Sequence, residues 1–124
     1  MSRQILFLLP LFLLAAGCAV FRDPSGMGVQ DVHAARPQAK TRVVHGTTDD
    51  VYAKVRTIGT DQAWEVFREF PEEHLIVFQR IPGSVDTTQV GVFCSQAEGG
   101  VLVEVSCQGV FSRELAARIL FDRL

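Results

Sequence analysis

Residues 87–110 read TTQVGVFCSQAEGGVLVEVSCQGV, and this stretch decides the fold. Two runs, Thr87 to Gln96 and Val101 to Val110, alternate apolar and polar residues on either side of Gly99-Gly100. Alternation with period two marks half-buried strands, and a Gly-Gly link between them marks a tight hairpin. If Glu98 pairs with Val101, then Val90, Val92, Cys94, Val101, Val103, Val105 and Cys107 share one face.

Upstream, Leu75 to Ile81 (LIVFQRI) is a further strand, followed by a turn at Pro82-Gly83-Ser84. Residues 63–70 (AWEVFREF) fit two templates. Trp64, Phe67 and Phe70 form a helical stripe, whereas Trp64, Val66 and Phe70 alternate with Glu65, Phe67 and Glu69. The hairpin-like link Pro71-Glu72-Glu73-His74 favours the strand. Thr41 to Gly46 (TRVVHG) is a short β-branched edge strand. Thr47 and Thr48 offer N-caps ahead of Asp49 and Asp50, and Val51, Val55 and Ile58 make a helical stripe ending near Gly59. At the other end, Ser112 caps a helix over 113–124 with Leu115, Ala116, Ile119 and Leu120 as its buried stripe. The order β-α-β-β-β-β-α predicts an α+β domain: an antiparallel sheet of four to five strands with two helices packed on one face.

Parity then sorts the side chains. Trp64, Val66, Phe70, Leu75, Val77 and Ile81 join the valine face under the helices. The opposite face receives Phe67, Phe78 and Phe93 ringed by Glu65, Glu69, Arg80 and Glu104. An apolar centre with a charged rim fits a docking or dimerisation surface formed by Phe67, Phe78, Phe93, Arg80 and Glu104. Two other readings stay open: a solvated face with scattered apolar side chains, and a face covered by the chain's own N-terminal segment.

The N-terminus is of another kind. Arg3 precedes the apolar run Ile5 to Ala16, which ends in Leu14-Ala15-Ala16-Gly17-Cys18. A basic start, a short hydrophobic core and small residues before a cut make a secretory signal peptide. The stretch resembles the lipobox of bacterial lipoproteins, with cleavage after Gly17 and a lipidated Cys18, although Ala15 stands where leucine is usual. The competing reading is an uncleaved membrane helix; from Ile5 to Phe21 the apolar run is a little short of the ~20 residues such a span needs, and Pro10 interrupts it. The expected organisation is a signal peptide over 1–17, a lipidated cysteine and flexible tether over 18–40, and one periplasmic domain over 41–124. From Ala19 to Lys40 no apolar period stands out. Ala19, rather than aspartate, follows the cysteine, so the resemblance implies the outer membrane, with the inner membrane as second choice.

Taken with "DDVYAKV", "AWEV", "LIVFQR", "VLVEVSCQG" and "SRELAARILFDRL", the chain is similar to small Gram-negative lipoproteins of unknown function that carry one such domain. That resemblance rests on pattern and order, and it implies a fold and no activity.

Composition narrows the function. Without Arg3 the chain has 11 basic against 14 acidic residues and no basic cluster, which argues against nucleic acid and against adhesion to anionic lipid by charge. Anchoring therefore falls to acyl chains. Cys94 and Cys107 share the core face in an oxidising compartment, so a disulfide is open, but the register above places them diagonally. His33, His45 and His74 lack metal-ligand spacing, and no nucleophile elbow, phosphate loop or dinucleotide fingerprint occurs, so no metal, cofactor or catalytic residue is expected. The expected role is a non-enzymatic, lipid-anchored envelope accessory that binds a protein partner or itself. The alternative is a small-ligand or lipid binder using space between sheet and helices.

Overall fold

The hairpin that organises the domain forms one residue earlier than its glycines indicate. A computed structural model describes residues 27–85 and 87–124. Its strands are β1 (Lys40–Val44), β2 (Glu65–Phe70), β3 (Leu75–Gln79), β4 (Val90–Ala97) and β5 (Gly100–Ser106). β4 and β5 turn through Glu98-Gly99, so Ala97 faces Gly100 and Cys94 faces Val103. Gly99 takes the left-handed backbone of the turn at φ 87°. Gly100 is reserved for a neighbour: a Cβ there would lie 2.2 Å from the Val44 carbonyl oxygen of the adjoining strand.

All five strands pair antiparallel in the order β1-β5-β4-β3-β2. Two helices cover one face, α2 (Thr48–Asp61) and α3 (Val110–Arg123). The α+β class and the antiparallel sheet are therefore as the pattern predicts. Thr47 caps α2, its hydroxyl accepting the Asp50 N–H at 3.2 Å. Val51, Val55 and Ile58 point into the core as expected. The helix ends at Asp61, near Gly59 as expected, and that glycine has a further task. A Cβ on Gly59 would meet the Phe78 ring at 2.4 Å, so its absence lets α2 lie close to β3. The left-handed residue after the helix is Ala63, at φ 64°.

α3 begins at Gly109 as N-cap, three residues before the expected Ser112. Ser112 sits buried in the first turn, its hydroxyl against that of Ser84. The buried face rotates accordingly to Ala116, Ala117, Leu120 and Phe121, with Leu115 and Ile119 at its margin.

The second face of the sheet corrects the tether reading. Residues 27–40 are built into the domain: α1 (Met27–Ala35) leads through a 3-10 turn at Arg36–Gln38 into β1. Val32 packs with Leu75, Val77 and Phe93, flanked by Val29, Phe67 and Phe70. A nine-residue helix has little stability alone. Here the sheet supplies it, through two small residues that admit it. A Cβ on Gly91 would fall 1.9 Å from Val32 Cγ1, and the Ser106 hydroxyl donates to the Val32 carbonyl at 2.6 Å. The expected signal peptide and cleavage site, Gly17 and Cys18 included, lie outside the described residues.

Candidate functional site

The five residues assigned to a docking face do not form one. β2 carries a bulge: Val66 pairs with Phe78 and Arg68 with Val77, leaving Phe67 as the extra residue. An extra residue in one strand reverses the facing of everything beyond it. Between β3 and β4 the register Leu75–Phe93 and Ile76–Val92 sends Leu75 and Val77 to the α1 side, and Ile76 and Phe78 to the two-helix side. Phe78 is thus fully buried in the main core, edge-on to Trp64 with ring centroids 5.2 Å apart.

Phe93 lies beneath α1. The Arg36 guanidinium stacks 4.1 Å above its ring, and His33 meets the same ring edge-on at 5.4 Å. Glu104 receives Arg36 Nη2 at 2.8 Å. Phe67 is half-buried beside them. Arg80 has left the strand altogether, at φ 52°, and pairs with Glu65 at 3.5 Å. Of the expected apolar centre and charged rim, Phe67, Phe93 and Glu104 meet in a seam closed by α1, whereas Phe78 lies in the main core and Arg80 at the surface.

The cysteines are likewise separated. Cys94 faces Val103, so Cys107, just past the end of β5, stands four residues further along the chain, about 13 Å away at strand spacing. A bridge needs Cα atoms within about 7 Å. Both thiols are free and buried. Burial pushes the Cys94 thiol up to about 12. Burial also raises Cys107, against the opposing pull of the Gly109 N–H and the Arg113 charge. Thiolate is the reactive form, so neither is a nucleophile. The folded protein should therefore resist alkylation at pH 8, the unfolded and unreduced protein should release two reactive thiols besides any at Cys18, and reductant should leave the melting temperature unchanged. A melting temperature lowered by reductant would contradict this geometry.

Polar clusters lie at the surface. The Glu69 carboxylate accepts from Tyr52 at 3.1 Å and from Arg56 Nε at 2.7 Å, tying α2 to β2. Burial, with the Glu69 charge added, raises the Tyr52 hydroxyl above its ordinary range. His74 Nε2 meets Asp49 Oδ1 at 2.7 Å. Among the described residues no group of three or more His, Cys, Asp or Glu side chains is placed to hold a metal ion. The space between the sheet and the two helices is taken by Val55, Ile58, Phe78, Val92, Val103 and Leu120. Among the described residues, clefts open at the surface instead. One of about 210 Å³ runs from Asp31 past Thr87–Gln89 to Gly109. Another, of about 220 Å³, lies between Phe111, Glu114, Leu115 and Arg118.

Among the described residues, two surfaces are left without a partner. The first is the edge strand β1, with Val43 48 % exposed beside half-buried Leu102. The other sheet edge, β2, is blunted by its bulge and by Glu65 and Glu69 held in polar contacts, the usual protection of an edge. β1 has a regular register and no bulge. The second surface comprises exposed Val85, Val110 and Phe111, where the Ser84–Ser112 hydroxyl contact brings the loop before Val85 to the first turn of α3. Phe111 lies off the stripe of Leu115, Ala116, Ile119 and Leu120 expected for α3, and the core does not receive it.

No known family profile, curated protein or solved structure matches this chain.

Proposed function

We propose that this protein is a non-enzymatic, lipid-anchored accessory of the bacterial envelope, held to the outer membrane through Cys18, that receives an extended segment of a partner protein along β1. The open β1 edge supports the reading. Among the described residues no strand pairs with its outer edge, and the Val43–Leu102 strip offers apolar contact for alternate side chains of an added strand. The filled interior supports a role exercised at the surface rather than in a pocket.

A photo-crosslinking side chain at Val43, in the full-length protein in its own envelope, should yield one discrete protein adduct. Val43→Asp should reduce complex formation about tenfold, equivalent to roughly 1.4 kcal/mol of binding. Its effect on stability should stay within about 0.5 kcal/mol, as for other exposed sites. An adduct of twice the chain mass would make the occupant a second copy. Unchanged association in Val43→Asp would overturn the use of this edge.

A further inference from the structure

We infer that the end of the domain bearing Val85, Val110 and Phe111 rests against the bilayer that holds the anchor. The inference builds on the membrane attachment in the proposed function and adds to it an orientation and a second contact with lipid.

These three side chains are 67, 61 and 69 % exposed. The Ser84 and Ser112 hydroxyls are hydrogen-bonded, which brings the loop before Val85 against the first turn of α3. Val85 and Phe111 are the immediate chain neighbours of those two serines. Leu115 extends the patch from below: it approaches Gly83 and lines the cleft beside Phe111. A contiguous apolar patch, unlike a lone exposed side chain, marks a surface that is covered in use.

Where the chain leaves the domain identifies the cover. The Gln108 side chain donates to Asp31 of α1 at 3.4 Å, and Asp31 shares a cleft with Gly109, the residue before Val110. Met27 lies four residues earlier on the same helix, about 6 Å away along its axis. From there only residues 19–26 separate the domain from Cys18, and eight residues span at most about 30 Å. A tether reaching to residue 40 would let the domain stand clear of the headgroups. With α1 seated on the sheet, the lead shortens to eight residues, which favours the end where α1 meets Gln108 and Gly109, and with it Phe111, as the one nearest the membrane. The same limit applies if the apolar segment before Cys18 stays uncleaved. The chain's excess of acidic residues makes charge a poor means of adhesion, whereas an exposed Phe with two Val is suited to the boundary between headgroups and acyl chains.

The test uses the full-length protein in vesicles of zwitterionic phospholipid with brominated acyl chains, comparing Phe111→Trp with Val43→Trp. Trp64 is buried in the core and supplies a constant background taken from the unaltered protein. The added tryptophan at position 111 should lose most of its emission to the brominated lipid, and the one at position 43 should lose none. Equal emission at position 111 in brominated and plain vesicles, from protein that floats with them, would overturn the bilayer contact alone and leave the patch to a protein partner. Protein that fails to float, with no acyl mass on residue 18, would overturn the anchor and this inference together.

Discussion

Phe78→Ser should lower the unfolding free energy by about 3–5 kcal/mol, the range for emptying the place of a buried aromatic ring. Phe78 has no exposed surface, packs edge-on against Trp64, and fills the notch left by the missing side chain of Gly59. The cavity left by a serine would open between α2 and β3, where neither backbone can close it without breaking the sheet register. The new hydroxyl would also lack a designed partner, which adds to the penalty. The change should appear as a fall in the urea midpoint at constant slope, with no change in sedimentation. A loss under 1 kcal/mol together with weakened association would put Phe78 back on a docking face.

One parity decision separates the sheet faces expected from the sequence from those observed. Within β4 and β5 the facing of every residue was legible. A two-residue hairpin transmits parity, and moving the turn by one residue shifts the pairs by two, so Val90, Val92, Cys94, Val101, Val103 and Val105 keep their side. It does move Cys94 from Val105 to Val103, and that alone separates the thiols. Between β3 and β4 the link from Arg80 to Gln89 is too long to transmit any register, and LIVF is apolar at every position. Such a run reads as buried on both faces, which it is: Leu75, Ile76, Val77 and Phe78 are all fully buried. That double burial was a sign that something must cover the second face.

The bulge at Phe67 had its own trace. Trp64, Phe67 and Phe70 fit a period of three because an extra residue interrupts a period of two. For α1 the trace was weaker, Val29, Val32 and Ala35 at intervals of three in a nine-residue segment. Its partners, Gly91 and Ser106, are small residues on β4 and β5, and nothing local connects them to it. The open β1 edge was partly legible as an edge-type strand, whereas the patch around Phe111 depends on where α3 begins, which only the sheet determines.

Gly91 and Val32 should show a strong coupling that tests whether α1 belongs to the domain. Gly91→Ala places a methyl group 1.9 Å from Val32 Cγ1 and 3.1 Å from its Cβ. A change of rotamer relieves the first contact only in part, since valine is branched at Cβ and restricted at χ1. The helix must therefore lift, straining the Ser106 bond to the Val32 carbonyl and the Arg36–Glu104 pair. Overpacking of this kind costs about 1–3 kcal/mol. Val32→Ala removes two methyl groups from the seam, a loss of about 1.6 kcal/mol at about 0.8 per buried carbon. In the double variant the methyl at 91 enters the space vacated at 32, so the combined loss should fall short of the sum by about 1 kcal/mol or more. Amide exchange gives the local readout. Gly91→Ala alone should speed exchange in α1 and around Phe93, and Val32→Ala added to it should restore part of the protection. If residues 27–40 were only a tether, Val32 would touch nothing, both single changes would be silent in α1, and the cycle would close at zero.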